Sequence, residues 1–300
     1  VRTAETDGGR MGAAVGWMLI AKMSMWNKEW NRALAAISRL DDIYGDLNRY
    51  PLEDIWFSRK NTAEIIFEIQ HEYVPGGTDC SSNCASALMP YPRILGTCTY
   101  DNVDIPELGT QAVCWSPVRP TAYMTGTIMP ANVSDDRRDM NMVASWNGHS
   151  FSRTWMGPKF WCFNMREAKD SNNYPVFRYA DVVLMAAECY CETGEYDKAI
   201  ERYDAVRSRA GASGYGAFKS YVRLIDEIRK ERGRELFGEF QRKFDLVRWG
   251  KWYEYTLLYN SYSLVQENIL PCHEYYPIPD EQVRASGGIL DNDEYAKYGL

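Results

Sequence analysis

The sequence predicts a mostly α-helical fold, built on repeated helix pairs and interrupted by a long, loop-rich excursion. Three observations carry the prediction. Apolar residues recur at helical spacing towards both ends of the chain. The two periodic stretches align with one another at a single fixed offset. The residues between them are rich in Gly, Pro, Ser, Asn and aromatic side chains and show weak periodicity.

The first helix pair lies within residues 1–45. Val15, Leu19 and Met23, with Met18 and Met25 alongside, recur at helical spacing. A turn at WNKEW follows, and Trp30, Ala33, Leu34, Ile37 and Leu40 continue the pattern on a second helix. The later stretch YADVVLMAAECYCETGEYDKAIERYDAVRSRAG repeats the layout: Ala21 aligns with Ala187, Trp30 with Tyr196, Ala33 with Ala199 and Leu34 with Ile200. Large side chains meeting a small Ala, and an aromatic residue opening the second helix, mark a tetratricopeptide unit. Gly194 permits the tight turn between the helices. Such units cannot bury their faces alone and must stack. The predicted scaffold is therefore tetratricopeptide-like.

Residues 46–74 form a linker that ends in a strand. Within AEIIFEIQHEYV, Ile65, Phe67 and Ile69 alternate with Ile66, Glu68 and Gln70. Residues 75–173 form the excursion, with loops, short strands and a short helix near RPTAYMTG. A loop region this long inside a compact domain points to function, and its aromatic content argues against disorder. Residues 174–300 hold the second pair, the helical stretch GAFKSYVRLIDEIRKERGRELFGEFQRKF and a turn-rich tail. Tyr221, Leu224, Ile225, Ile228, Leu236, Phe237, Phe240 and Phe244 mark the apolar stripe of that stretch, which Gly233 and Gly238 weaken by ~1 kcal/mol each.

Composition and motifs exclude several functions. The net charge of −7 argues against a nucleic-acid surface, which needs a basic face. No apolar run approaches the ~20 residues that span a bilayer, and the best candidate, AAVGWMLIAKMSMW, is broken by Lys22. The opening VRTAETDGG has neither the basic nor the apolar region of a signal peptide and reads as a processed or trimmed chain or as the later part of a longer protein. His71, His149 and His273 are isolated, and no GxSxG, Walker A or GxGxxG pattern occurs. No metal, cofactor or catalytic constellation is predicted, so the chain reads as a binding protein and not an enzyme. DDRRD, at 135–139, reads as a self-neutralising surface turn.

In ELFGEFQRKFDLVRWGKW, Glu235, Glu239, Arg242, Asp245 and Arg248 follow one another at helical spacing. A base within one turn of each acid lowers its pKa and unfits it for general-acid work. The stretch is read as scaffold, with Arg242, Asp245 and Arg248 as structural ion pairs holding the last helices above Trp249 and Trp252.

Four of the eight cysteines, Cys80, Cys84, Cys98 and Cys114, cluster in the excursion. Their spacing matches a zinc knuckle only loosely. Two disulfides among the four, stapling a segment that lacks a core of its own, are the expectation, with the pairing open.

Aromatic residues make up 14% of the chain, including 10 Trp and 21 Tyr. Core packing absorbs many of them, but exposed flat rings also stack on the apolar faces of sugars. Trp115 is assigned as the main stacking platform, with Tyr100, Tyr91 and Trp146 as secondary walls. Arg93, Arg119, Asn132 and Asn147 supply polar partners. Pro117 and Pro120 limit the freedom of the loop after Trp115, and a disulfide at Cys114 would fix its backbone. Trp155, Trp161 and Phe163 are assigned to the core.

Several of these segments together resemble one family. YPVFRYADVVLMAAECYCETGEYDKAIERYDAVRSRAG, then RKERGRELFGEFQRKFDLVRWGKW, then YYPIPDEQV and LDNDEY, are similar in order and spacing to the SusD/RagB family. GRMGAAVGWMLIAKMSMWNKEWNRALAAISRLDDIYGDL followed by NTAEIIFEIQ looks like the family's middle helix pair and following strand. The excursion matches in outline, through RPTAYMTG and DDRRDMN. FGEFQR stands where an FEGHR-like turn is commoner. The resemblance implies a single SusD-like domain over 1–300, without the family's N-terminal helical portion and lipidated Cys. It implies an outer-membrane, cell-surface lipoprotein of Bacteroidetes, anchored by a lipid outside this chain. It further implies no catalysis, and capture of a glycan for a SusC-like TonB-dependent transporter. The alternatives are a peptide-binding lipoprotein of the same fold and a tetratricopeptide-type interaction adaptor.

Overall fold

The computed structural model describes residues 11–76, 80–90, 99–100, 103–108, 111–163, 165–216 and 219–300. They fall into two compact units, one running to Phe240 and the other spanning Gln241–Leu300.

The chain opens on α1 (Ala13–Trp26) and α2 (Trp30–Tyr44). Ala14, Val15, Met18, Ala21 and Met25 of α1 are buried, whereas Leu19 and Met23 are exposed. The core face is thus turned from the predicted one. α1 is apolar almost all round, so spacing alone does not choose its inner face. Two 3-10 turns, Leu47–Arg49 and Leu52–Ile55, lead to β1 (Ile65–Ile69). β1 does not alternate as predicted: Ile65, Ile66 and Glu68 are buried and Ile69 is exposed. Register shifts between Ile65 and Glu68 break its two-residue period.

The excursion contains α3 (Cys84–Leu88), β2 (Thr99–Tyr100) paired with β3 (Val103–Asp104), and β4 (Gln111–Ala112). A helical turn at Met124–Ile128 meets the expectation of a short helix near RPTAYMTG. α4 (Arg137–Asn141) then leads into the hairpin of β5 (Met142–Trp146) and β6 (His149–Met156). Its two-residue turn, Asn147-Gly148, has φ of 49° and 81°, the left-handed pair that an Asn-Gly hairpin favours. β7 (Arg166–Glu167) runs parallel to β4, and β8 (Tyr174–Arg178) returns antiparallel to β1. The two ends of the excursion are therefore zipped together. The His71 N–H donates to Asn173 Oδ1 at 2.9 Å, the Tyr73 N–H to Ser171 Oγ at 2.9 Å, and Ser82 bridges Asp170.

The second pair is α5 (Tyr179–Glu192) and α6 (Tyr196–Arg209). At the offset read from the sequence, both ends of α5 fall on those of α1, and Tyr196 opens α6 as Trp30 opens α2. Ala21, Ala33, Ala187 and Ala199 are all at 0% exposure. Small side chains at these positions let the helix axes approach. α5 packs between α2 on one side and α7 (Tyr221–Glu235) on the other, which stacks the pairs as a tetratricopeptide-like scaffold.

The helical stretch beyond α7 is broken. Residues 236–241 form a turn in which Gly238 and Phe240 have φ of 73° and 57°. A Cβ on Gly238 would lie 2.4 Å from the Phe160 ring. Both the dihedral and this approach require glycine, so Gly238 ends the helix instead of merely weakening it. The Gln241–Leu300 unit consists of α8 (Arg242–Arg248), α9 (Trp252–Tyr259), α10 (Ser263–Asn268), α11 (Asp280–Ala285) and α12 (Asp293–Ala296). Among the described residues no helix is long and apolar enough to cross a membrane.

A buried ion network joins the excursion to the helices. Arg178 Nη1 lies 2.5 Å from Glu235 Oε1 and 3.0 Å from Glu64 Oε1, and its Nε lies 2.8 Å from Glu239 Oε2. Arg209 also contacts Glu64 and Glu235, at 2.8 and 2.5 Å. From the excursion, Arg137 reaches Glu231 and Glu235, both at 2.7 Å, and Lys159 reaches Glu239 at 2.6 Å. Arg137 also binds Asp135 at 2.6 Å. DDRRD is thus not a surface turn: Arg137 is completely buried, because acids from α7 meet it there.

Candidate functional site

The excursion has a core of its own. Ala85, Met89, Ile105, Leu108, Ala112, Cys114, Val143, Trp155 and Trp161 pack together, with Trp146 and Phe151 against them. This core replaces the expected disulfides. Cys80 and Cys84 are free thiols, the first exposed and the second half-buried, and Cys114 is buried. Cys114 sits in the apolar cluster just named, while Cys84 packs against a second one containing Phe57, Leu88 and Phe160. Two disulfides among the four positions are therefore not formed. Cys98 lies outside the described residues. Burial, with the nearby Asp170 carboxylate adding to it, pushes the Cys84 thiol up to about 12.

Trp115 is 55% exposed at the edge of this core, immediately after the buried Cys114. Its backbone is held without a disulfide. The Trp115 and Ser116 N–H groups donate to the Ser86 carbonyl at 2.8 and 3.1 Å, and Ser116 Oγ donates to the Met89 carbonyl. Ser116 adopts a left-handed φ of 47°, which turns the chain at the indole. The α3 segment that supplies Ser86 is itself fixed, because the Ala85 N–H donates to Asp170 Oδ2 at 3.0 Å. Asp170 is buried; burial raises its pKa, partly offset by backbone N–H groups from Asn172 and Ala85. A large ring is thus presented to solvent on a backbone that needs little further ordering.

Trp146 ends β5 and is half-buried. Its ring meets the buried Trp161 edge-on, with centroids 4.7 Å apart, and its Nε1 lies 3.4 Å from Glu107 Oε2. Trp146 packs on the core cluster that holds Cys114, the residue before Trp115. Tyr91 and Arg93 lie outside the described residues, as does the side chain of Tyr100. Asn132 and Asn147 are exposed. Trp155 and Trp161 are buried, but Phe163, assigned to the core, is 39% exposed.

Arg119 and Arg153 complete this surface. The Arg119 guanidinium lies 5.1 Å from the centroid of the Trp155 ring and that of Arg153 lies 5.7 Å from it. Arg119 Nε reaches back to the Ser116 carbonyl at 3.4 Å, which ties this pair to the Trp115 turn. Arg153 was not among the predicted partners. Its signal is the alternation in HSFSRTWM after an Asn-Gly turn, which places Arg153 and Trp155 on one face of a strand.

The acids of ELFGEFQRKFDLVRWGKW do not form one ladder. Glu235 ends α7, Glu239 sits in the turn, and their partners are the distant Arg178, Arg209, Arg137 and Lys159. In the Gln241–Leu300 unit, Arg248 Nη2 lies 3.2 Å from Asp245 Oδ1, and the Arg242 guanidinium lies 5.4 Å from the Trp249 centroid. Among the described residues no group of acids, His and Cys is arranged to hold a metal ion.

Residues 163–295 match the SusD family. SusD-like protein P25 of Formosa agariphila is 33% identical over 171 residues, covering 53% of this chain and 32% of that protein. The surface glycan-binding protein A of Bacteroides uniformis superposes with a TM-score of 0.71 at 22% identity, over 96% of this chain and 62% of its own. The corresponding protein of Bacteroides thetaiotaomicron, solved in complex with laminarihexaose, gives 0.67 at 22% identity, over 95% and 64%. The chain therefore spans about a third of that curated relative and under two thirds of these structures. At such identities the superpositions show the fold. Residues 163–295 thus match the SusD family, and the chain shares the fold of these surface glycan-binding structures.

Proposed function

We propose that this chain is the glycan-binding part of a non-catalytic, cell-surface protein that feeds oligosaccharides to a SusC-like TonB-dependent transporter. The observation that carries the reading is Trp115: a large ring, 55% exposed, on a backbone pinned by two N–H bonds to one carbonyl. Trp146, Tyr100 and Tyr91 are proposed as the secondary walls of the same site. The family match and the laminarihexaose complex of a protein with the same fold support a sugar as ligand. The same relationship supports a location at the outer membrane, exposed on the cell surface. Glu64, Glu231, Glu235 and Glu239 are held by Arg and Lys partners in the buried network, which suits them to a structural and not a hydrolytic role. Affinity gel electrophoresis over a panel of polysaccharides tests the reading. Retardation by at least one polysaccharide, with no cleavage products on chromatography, is expected. Free migration on every gel, or products that persist after repurification, contradicts it.

A further inference from the structure

Arg119 and Arg153 converge on one aromatic ring of the excursion. Both are exposed, both lie against the Trp155 ring, and among the described residues neither has a carboxylate within salt-bridge distance. Glu107 accepts from the Trp146 indole N–H at 3.4 Å. In a chain of net charge −7, two guanidinium groups held on one ring, with no carboxylate paired to them among the described residues, create a local positive field. Each retains N–H donors suited to a planar carboxylate or a sulfate. Their shared support is rigid: Trp155 is buried in the excursion core, and Arg119 Nε is tied to the Ser116 carbonyl beside Trp115.

We infer that the glycan taken at this surface is anionic, with a carboxylate- or sulfate-bearing sugar unit seated on Arg119 and Arg153 while a neighbouring unit stacks on Trp115. The inference rests on the glycan-binding reading above and adds the substrate class. Isothermal titration of the intact chain against three probes tests it: oligogalacturonate, κ-carrageenan oligosaccharide and neutral laminarihexaose. One of the anionic probes is expected to bind at least about tenfold tighter than laminarihexaose and to weaken as salt is raised. Preference between the two anionic probes separates carboxylate from sulfate. In the Arg119→Gln/Arg153→Gln variant that advantage disappears while the melting temperature holds, because both side chains are exposed; Arg119→Lys/Arg153→Lys recovers part of it. Binding of laminarihexaose alone, or unchanged affinity for the anionic probes in the double Gln variant, overturns the inference and leaves the glycan reading standing. Failure to bind any of the three overturns it, while the glycan reading falls only with free migration across the whole polysaccharide panel.

Discussion

Lys28 and Gly194 occupy the same turn position in the two helix pairs, and both hold it in the left-handed region, at φ of 59° and 81°. The bonds around them correspond as well. The Glu29 N–H donates to the Ser24 carbonyl and the Glu195 N–H to the Tyr190 carbonyl, each at 2.8 Å. The repeat thus extends to backbone conformation, but in the first pair a lysine carries the strain that glycine avoids. Lys28→Gly is expected to stabilise the protein by ~0.5–1 kcal/mol. Gly194→Ala is expected to cost ~1 kcal/mol through the dihedral alone, since no atom lies within 4 Å of its added Cβ. Urea unfolding of both variants checks this; a destabilised Lys28→Gly contradicts it.

The helix pairs were legible in the sequence because they are local and occur twice. Ala21 and Ala187, or Trp30 and Tyr196, need only helical spacing and an offset to be found. The ion network was not legible, because its partners are remote: Arg178 and Glu235 stand 57 residues apart, and Arg137 and Glu235 stand 98. Spacing pointed instead to bases close by, such as Arg242. The core of the excursion was hidden for a similar reason. Its members come from short segments, such as Ala85, Leu108, Val143 and Trp161, none long enough to show a period. At the candidate site, ring chemistry and the flanking prolines singled out Trp115. Its exposure, and the Ser86 carbonyl that holds it in place of a disulfide, required the fold.

Arg178 is the hub that links β8 to α7 and the turn after it. Replacing it with Met removes one cation from Glu64, Glu235 and Glu239 together and leaves three buried carboxylates to share Arg209, Arg137 and Lys159. The expected cost is ~3–5 kcal/mol, or loss of folding. Thermal and urea unfolding measure it; a loss under ~1 kcal/mol would show that the network contributes little.

The same network sets the acid limit of stability. Burial by itself raises the Glu64 carboxyl, but Arg209 and Arg178 outweigh it and hold the group below its ordinary value. At Glu235 burial is likewise outweighed, by Arg178, Arg209 and Arg137, and the carboxyl lies well below the usual range. A depressed folded-state pKa stabilises above the unfolded value and loses that contribution as pH falls towards the folded one. The melting temperature is therefore expected to fall steadily below about pH 4.5, where unfolded glutamates begin to protonate. A flat melting temperature from pH 6 to about pH 3 would contradict this.

Thiol chemistry separates the apolar excursion core from a disulfide staple. In native protein Cys80 is expected to react readily with a maleimide, whereas Cys84 and Cys114 react only after unfolding. Denaturation without reductant should expose all three. Peptide mapping locates the label, and failure of any of the three to label in unreduced, denatured protein would show that it is oxidised.

The central claim is that Trp115 presents a sugar-stacking face on a pinned backbone. Titration of wild type and Trp115→Ala against a polysaccharide retained in the gel assay, beside their melting curves, tests it most directly. A pre-organised ring contributing ~1.5–3 kcal/mol to binding predicts a loss of roughly tenfold to a hundredfold in affinity. The melting temperature is expected to stay close to wild type, since the ring is 55% exposed. Unchanged affinity in a well-folded Trp115→Ala protein would contradict the claim and remove Trp115 from the site.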